Sequence, residues 1–86
     1  MSEQDTTINF SSFVLSLSTS AMVHLGLSPN PLTNKPEEDL MMARHEIQIL
    51  EMLQSKTTGN LSGDEGKLME EILFHLRMKY VEKTKK

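Results

Sequence analysis

PEEDLMMARHEIQILEMLQSKTTGNLSGDEGKLMEEILFHLRMKYVE, residues 36–82, carries two helical patterns separated by one short break. In the first, Leu40, Ala43, Ile47, Leu50 and Leu53 recur at three- and four-residue steps, and Met42 and Ile49 widen their arc. That spacing places them on one face of a helix. In the second, Leu68, Met69, Ile72, Leu73, Leu76 and Tyr80 do the same. Between them, Gly59 suits a left-handed turn and Asn60 can bond to nearby backbone. Ser62 with Glu65 three residues later forms a capping box that restarts the chain as a helix. The connection Thr57–Leu61 is short, which makes the two helices an antiparallel hairpin. The first of them is predicted to begin near Pro36 and run to about Thr57. Proline fits a first helical turn, and Glu37, Glu38 and Asp39 put negative charge at the positive end of the dipole. Gly63 and Gly66 weaken the start of the last helix by about 1 kcal/mol each relative to alanine.

Upstream, residues 9–26 form a further helix. Asn9 can cap it, with Ile8 and Phe13 placed as a hydrophobic staple. Gly26 stops it, and Pro29, Pro31 and Pro36 prevent its continuation. Residues 27–35 read as a turn-rich loop. The main stripe of this helix is Phe10, Phe13, Val14, Leu17, Ala21 and Leu25, with Leu15 and Met22 as a second, bordered by Ser11 and Ser18. Ser12, Ser16, Thr19 and Ser20 make a polar face without charge, suited either to water or to close approach of another helix. No segment alternates as a strand and there is no internal repeat. The fold class is therefore all-α. Helices two and three form the hairpin, helix one packs across it, and the assembly is expected to be oligomeric. Residues 1–7 read as disordered, 8–83 as a single helical domain and 84–86 as a basic tail.

Composition narrows the function. The chain has 86 residues, 37% of them apolar, and no cysteine. Disulfides, thiolate zinc sites and thiol catalysis are excluded. Residues 77–86 hold five Lys or Arg against Glu82, a local +4, so with −3 overall residues 1–76 carry −7. An acidic body disfavours phosphate, and no nucleic-acid partner is expected. From Thr6 to Asn34 there is no Asp, Glu, Lys or Arg. Serines, Asn9, Thr19 and His24 interrupt that run, and no aromatic or basic belt flanks it, so a membrane span is not expected. The opening Ser2, Glu3, Gln4, Asp5 lacks the basic start of a secretory signal.

Catalytic and metal chemistry finds little support. His24, His45 and His75 fall one per helix, with Glu71 one turn before His75. No His-x-x-x-His or Glu-x-x-His pair occurs, so no helix offers two strong ligands at a diagnostic spacing. No serine sits in a Gly-x-Ser-x-Gly elbow, and of the three glycines in residues 59–66, Gly63 and Gly66 flank acids that would repel phosphate. No cofactor and no catalytic residue is expected. Glu46 falls inside the apolar arc of helix two, where a carboxylate is either a buried ion-pair partner or a functional acid. The commoner fate of such a side chain is to sit at an edge and reach water. The lysines after Arg77 match the dipole at a helix end, although they could also touch anionic lipid.

A chain this short buries only about 60% of its unfolded surface. A lone three-helix unit covers the main stripes and leaves Leu15, Met22, Met41, Met52, Phe74, Met78 and Val81 without cover. Aligned apolar patches mark interfaces, and methionine suits surfaces that adapt to a partner. The expected contacts are Leu15, Ser18 and Met22 with Phe74, Met78 and Val81. The leading reading is a non-enzymatic module that self-associates or binds another, unidentified protein. The alternatives are a metal-binding protein using His and Glu ligands, and membrane-surface association through helix one.

NFSSFVLSLSTSAMVHLG (9–26), IQILEMLQSKTTGNLS (47–62) and EEILFHLRMKYVE (70–82), taken in order, resemble a bacterial family described as domain of unknown function 1844. The likeness runs from Ile8 to Glu82. It implies a small bacterial, cytoplasmic protein without an assigned activity, and it carries over no catalytic residues. Relatives are more acidic where this chain has Gly63 and Gly66, and often have Asp at the position of Gln48. No acid-based role can be transferred to those positions.

Overall fold

Asn9 starts the first helix by supplying an acceptor that the backbone lacks there. Its side chain takes the Ser12 N–H at 2.8 Å, and the Ser12 hydroxyl takes the Asn9 N–H in return. The structure, a computed structural model, describes residues 9–85. Three helices make it up: α1 (Phe10–His24), α2 (Leu40–Lys56) and α3 (Gly63–Thr84). Among the described residues there is no β-strand, only an isolated bridge between Asn30 and Lys35. The expectations for residues 1–7 and for the Ile8 staple lie outside the described residues.

Two helix ends follow the expected chemistry. At the end of α1, the Leu27 N–H bonds to the Met22 carbonyl and the Gly26 N–H to the Val23 carbonyl, both at 3.0 Å. This paired closure needs a left-handed residue, and Gly26 supplies it with φ +78°. At the start of α3, the Ser62 and Glu65 side chains satisfy each other's backbone N–H groups, the reciprocal cap read from their spacing. α3 extends to Thr84, one residue past the expected domain edge.

The start of α2 departs from expectation. It begins at Leu40 rather than near Pro36, with Asp39 as the cap whose side chain accepts from the Met42 N–H. The reason is tertiary. The Asp39 N–H is taken by the His24 carbonyl at 2.7 Å. Glu37 accepts from the Asn30 amide and the Thr33 hydroxyl, and Glu38 pairs with Lys83 of α3 at 3.2 Å. These acids are spent on the loop and on α3, and none falls in the first turn of α2.

α2 and α3 run antiparallel. Gln54 and Met69 lie together beside the connecting turn, whereas Arg44 and Val81 lie together at the other end. α1 packs against both. The outermost Cα atoms are 16 Å apart along the thinnest direction. Two helix layers at an interaxial distance of about 8–10 Å account for that thickness.

The core follows the main stripes. Val14, Ala21 and Leu25 from the α1 side meet Ala43, Ile47 and Leu50 of α2 and Met69, Ile72, Leu73 and Leu76 of α3. Phe10, Leu17, Leu53, Leu68 and Tyr80 border it. Phe13, read as part of the α1 stripe, is exposed instead, as are Met42 and Ile49 of the α2 arc. Among the described residues no aromatic side chain is fully buried. Phe10 and Tyr80 are half-buried at the edge of the core, and Phe13 and Phe74 are exposed.

Candidate functional site

Two features stand out from this frame. One is a buried polar cluster between α1 and α2, and the other is an apolar stripe on the outer side of α3.

Glu46 projects from the apolar arc of α2 and is only 6% exposed. It does not reach water at an edge, which corrects the ordinary expectation for a glutamate so placed. Ser20 of α1 donates its hydroxyl to Oε2, and Nδ1 of His24 lies 2.7 Å from Oε1. Ser20 and His24 are four residues apart, so both stand on the same face of α1. A buried carboxylate needs such donors, since burial without them costs several kcal/mol on the order of an unmade charged hydrogen bond. Both oxygens are served, and no buried side-chain polar atom lacks a partner among the described residues.

The cluster has the residue types of a hydrolase triad but not its connectivity. Ser20 and His24 each bond to the same carboxylate rather than to each other. In a nucleophilic triad the imidazole takes the serine proton and the acid orients the imidazole. Here the acid fastens two donors, and the geometry joins α1 to α2. The serine-rich face of α1 divides accordingly. Ser16 and Thr19 turn their hydroxyls to the carbonyls of Ser12 and Leu15, while Ser20 reaches across to α2. His45 and His75 are exposed on the surfaces of their helices. Among the described residues there is no group of three or more His, Asp or Glu placed to hold a metal ion.

The six expected contact residues are treated unequally by the fold. On α3, Phe74, Met78 and Val81 are 66%, 47% and 53% exposed. They line a shallow hollow of about 410 Å³ with Arg77 and Glu82. Both charges at its border have partners within the chain: Arg77 with Glu51 at 2.8 Å and Glu82 with Lys79 at 3.6 Å. On α1, Leu15 is 49% exposed, whereas Ser18 is half-buried. Met22 is a correction: it was expected to lack cover, and it packs instead against the edge of the core. No α1 residue lines the α3 hollow.

The family model for a domain of unknown function (DUF1844) matches residues 7–82. The chain belongs to that family. This agrees with the resemblance read from its three runs of sequence, and in this member of the DUF1844 family the matched span includes all three helices but for the last two residues of α3. No curated protein and no solved structure matches it. The family description assigns no activity. No helix among the described residues is long and apolar enough to cross a membrane.

Proposed function

We propose that this protein is a non-enzymatic helical module that works by self-association. Its contact surface is drawn from the exposed apolar residues of α3 and α1. The observation that carries this reading is the α3 stripe: Phe74, Met78 and Val81 stand at helical spacing on one exposed face, one of them a phenylalanine two-thirds open to solvent. Scattered apolar residues on a surface need no explanation, but an aligned set containing an aromatic ring does. The core supports the same reading from inside. It contains aliphatic side chains and one methionine, and the chain's rings are left at its edge or outside.

Light scattering coupled to size-exclusion chromatography tests the proposal. The chain is expected to elute above its 9.8 kDa mass at tens of micromolar and to dissociate on dilution. Replacing Phe74 by Ser is expected to give the monomer with its helix content intact. A wild-type chain that stays at monomer mass at several hundred micromolar overturns the proposal. On α1, Leu15→Glu tests whether that helix shares in the contact, and an unchanged assembly removes it.

A further inference from the structure

The α3 surface has an internal symmetry that specifies how a second copy would lie on it. Continuing the stripe in both directions at three- and four-residue steps gives Glu71, Phe74, Met78, Val81 and Lys85. All five are exposed. Glu71 and Lys85 each stand seven residues from Met78: Glu71 lies about 10.5 Å from it along the helix at 1.5 Å per residue, and Lys85 is the residue that caps α3 just past Thr84, its N–H still bonded to the Val81 carbonyl. Phe74 and Val81 stand four and three residues from it, on opposite sides. The charges follow the same division. Residues 63–76 carry −3, from Asp64, Glu65, Glu70 and Glu71 against Lys67, and residues 77–85 carry +3, from Arg77, Lys79, Lys83 and Lys85 against Glu82; Arg77, Lys79 and Lys83 already pair within the chain, with Glu51, Glu82 and Glu38. Neither Glu71 nor Lys85 has an ion-pair partner among the described residues.

We propose that two copies pair antiparallel through α3 about a two-fold axis at Met78, with Glu71 of each copy facing Lys85 of the other. This rests on the self-association reading and adds its geometry. A two-fold contact is isologous, so whatever lies at a given distance on one side of the axis meets what lies at that distance on the other. Here that brings Phe74 to the Val81 end of the second helix and acid to base at both rims. A parallel pairing would set Glu71 against Glu71 and Lys85 against Lys85, and like charges across an interface are penalised. The apolar centre supplies the adhesion, and the rim charges select the orientation. A stripe with an average step of 3.5 residues suits a shallow helix crossing.

Charge exchange tests the geometry. Sedimentation equilibrium at low salt is expected to show Glu71→Lys and Lys85→Glu each weakening the dimer about tenfold, because two attractions become two repulsions. The double variant Glu71→Lys with Lys85→Glu is expected to restore the wild-type constant within about twofold. Because the chain has no cysteine, Met78→Cys gives a second readout that needs no charge change. On mild oxidation it is expected to form a disulfide-linked dimer much faster than Met41→Cys, which is also exposed but lies on α2. A wild-type dimer that ignores both charge reversals, or a double variant as weak as the singles, overturns the antiparallel pairing and leaves self-association standing. Equal cross-linking at positions 78 and 41 overturns it as well. A wild-type chain that never dimerises removes both readings together.

Discussion

His24 Nδ1 lies 2.7 Å from Glu46 Oε1, joining the last turn of α1 to the middle of α2. The backbone repeats the connection nearby, where the His24 carbonyl accepts the Asp39 N–H. α1 is thus held to α2 by one side-chain and one backbone bond from the same residue, and Ser20 adds a third. For a helix without a single formal charge from Asp, Glu, Lys or Arg, these are the directional contacts that choose its placement. The apolar stripe alone would tolerate sliding and rotation.

Removing the carboxylate should therefore cost stability at the α1–α2 contact. Glu46→Ala leaves the Ser20 hydroxyl and the His24 N–H without their acceptor, and its expected cost is about 2 kcal/mol. Glu46→Gln keeps one acceptor oxygen and should cost about half as much. Urea unfolding at a fixed protein concentration measures both, and a Glu46→Ala variant within about 0.5 kcal/mol of wild type would show that the cluster contributes nothing net.

The glycines predict opposite signs for one substitution. Gly59 turns the chain after α2 at φ +84°, with nothing within 4 Å of an added Cβ. Gly59→Ala meets no clash, so its cost is purely that of left-handed backbone, about 1 kcal/mol. Gly66 lies in helical backbone with nothing within 4 Å of an added Cβ, so Gly66→Ala should stabilise by about 0.5–1 kcal/mol. Thermal unfolding of the two variants should move the melting temperature in opposite directions.

The helices and their main faces follow from periods and caps that act within a few residues: Asn9 ahead of α1, Ser62 with Glu65, Gly26 and Gly59 past helix ends. What those local rules miss depends on residues far along the chain. Pro36, Glu37 and Glu38 form a sound helix start by themselves, but Asn30, Thr33 and Lys83 recruit the acids elsewhere. Glu46 was visible as the one acid inside an apolar arc. Its partners were not, since Ser20 is 26 residues away and His24 is 22. The one signal in the sequence is a serine and a histidine four residues apart on α1, and the other hydroxyls of that helix, Ser11, Ser12, Ser16, Ser18 and Thr19, leave the choice of donor open. Met22 owes its cover to the rotation of α1 against the core, which no local period fixes.

Leu73 and Phe74 are neighbours with opposite surroundings, and they separate folding from association. Leu73 is fully buried between the helices, and Leu73→Ala should cost about 2–5 kcal/mol, enough to unfold much of so small a domain. Phe74→Ala should leave the dilute monomer within about 0.5 kcal/mol of wild type. Its effect should appear only as concentration rises. Wild type should gain melting temperature with concentration, as a dimer must, and Phe74→Ala should lose that dependence. Equal concentration dependence in both proteins would place the contact elsewhere.

Pro36 and Asp39 offer a test of where α2 begins. If the helix began at Pro36, its ring would be preset for the first turn, and Pro36→Ala would remove that advantage. In the structure the cap is Asp39, whose side chain accepts the Met42 N–H at 3.1 Å while its own N–H serves the carbonyl of His24. Asp39→Ala loses the cap and the favourable charge at the helix start, an expected cost of about 1 kcal/mol. Asp39→Asn keeps the acceptor and should recover most of it. Pro36→Ala lies outside the helix and should change stability only through the freedom of the unfolded chain, by less than about 1 kcal/mol. Urea unfolding ranks the three, and hydrogen exchange at Met42 should rise in Asp39→Ala alone. The reverse order, with Pro36→Ala the most damaging, would move the start of α2 back to the proline.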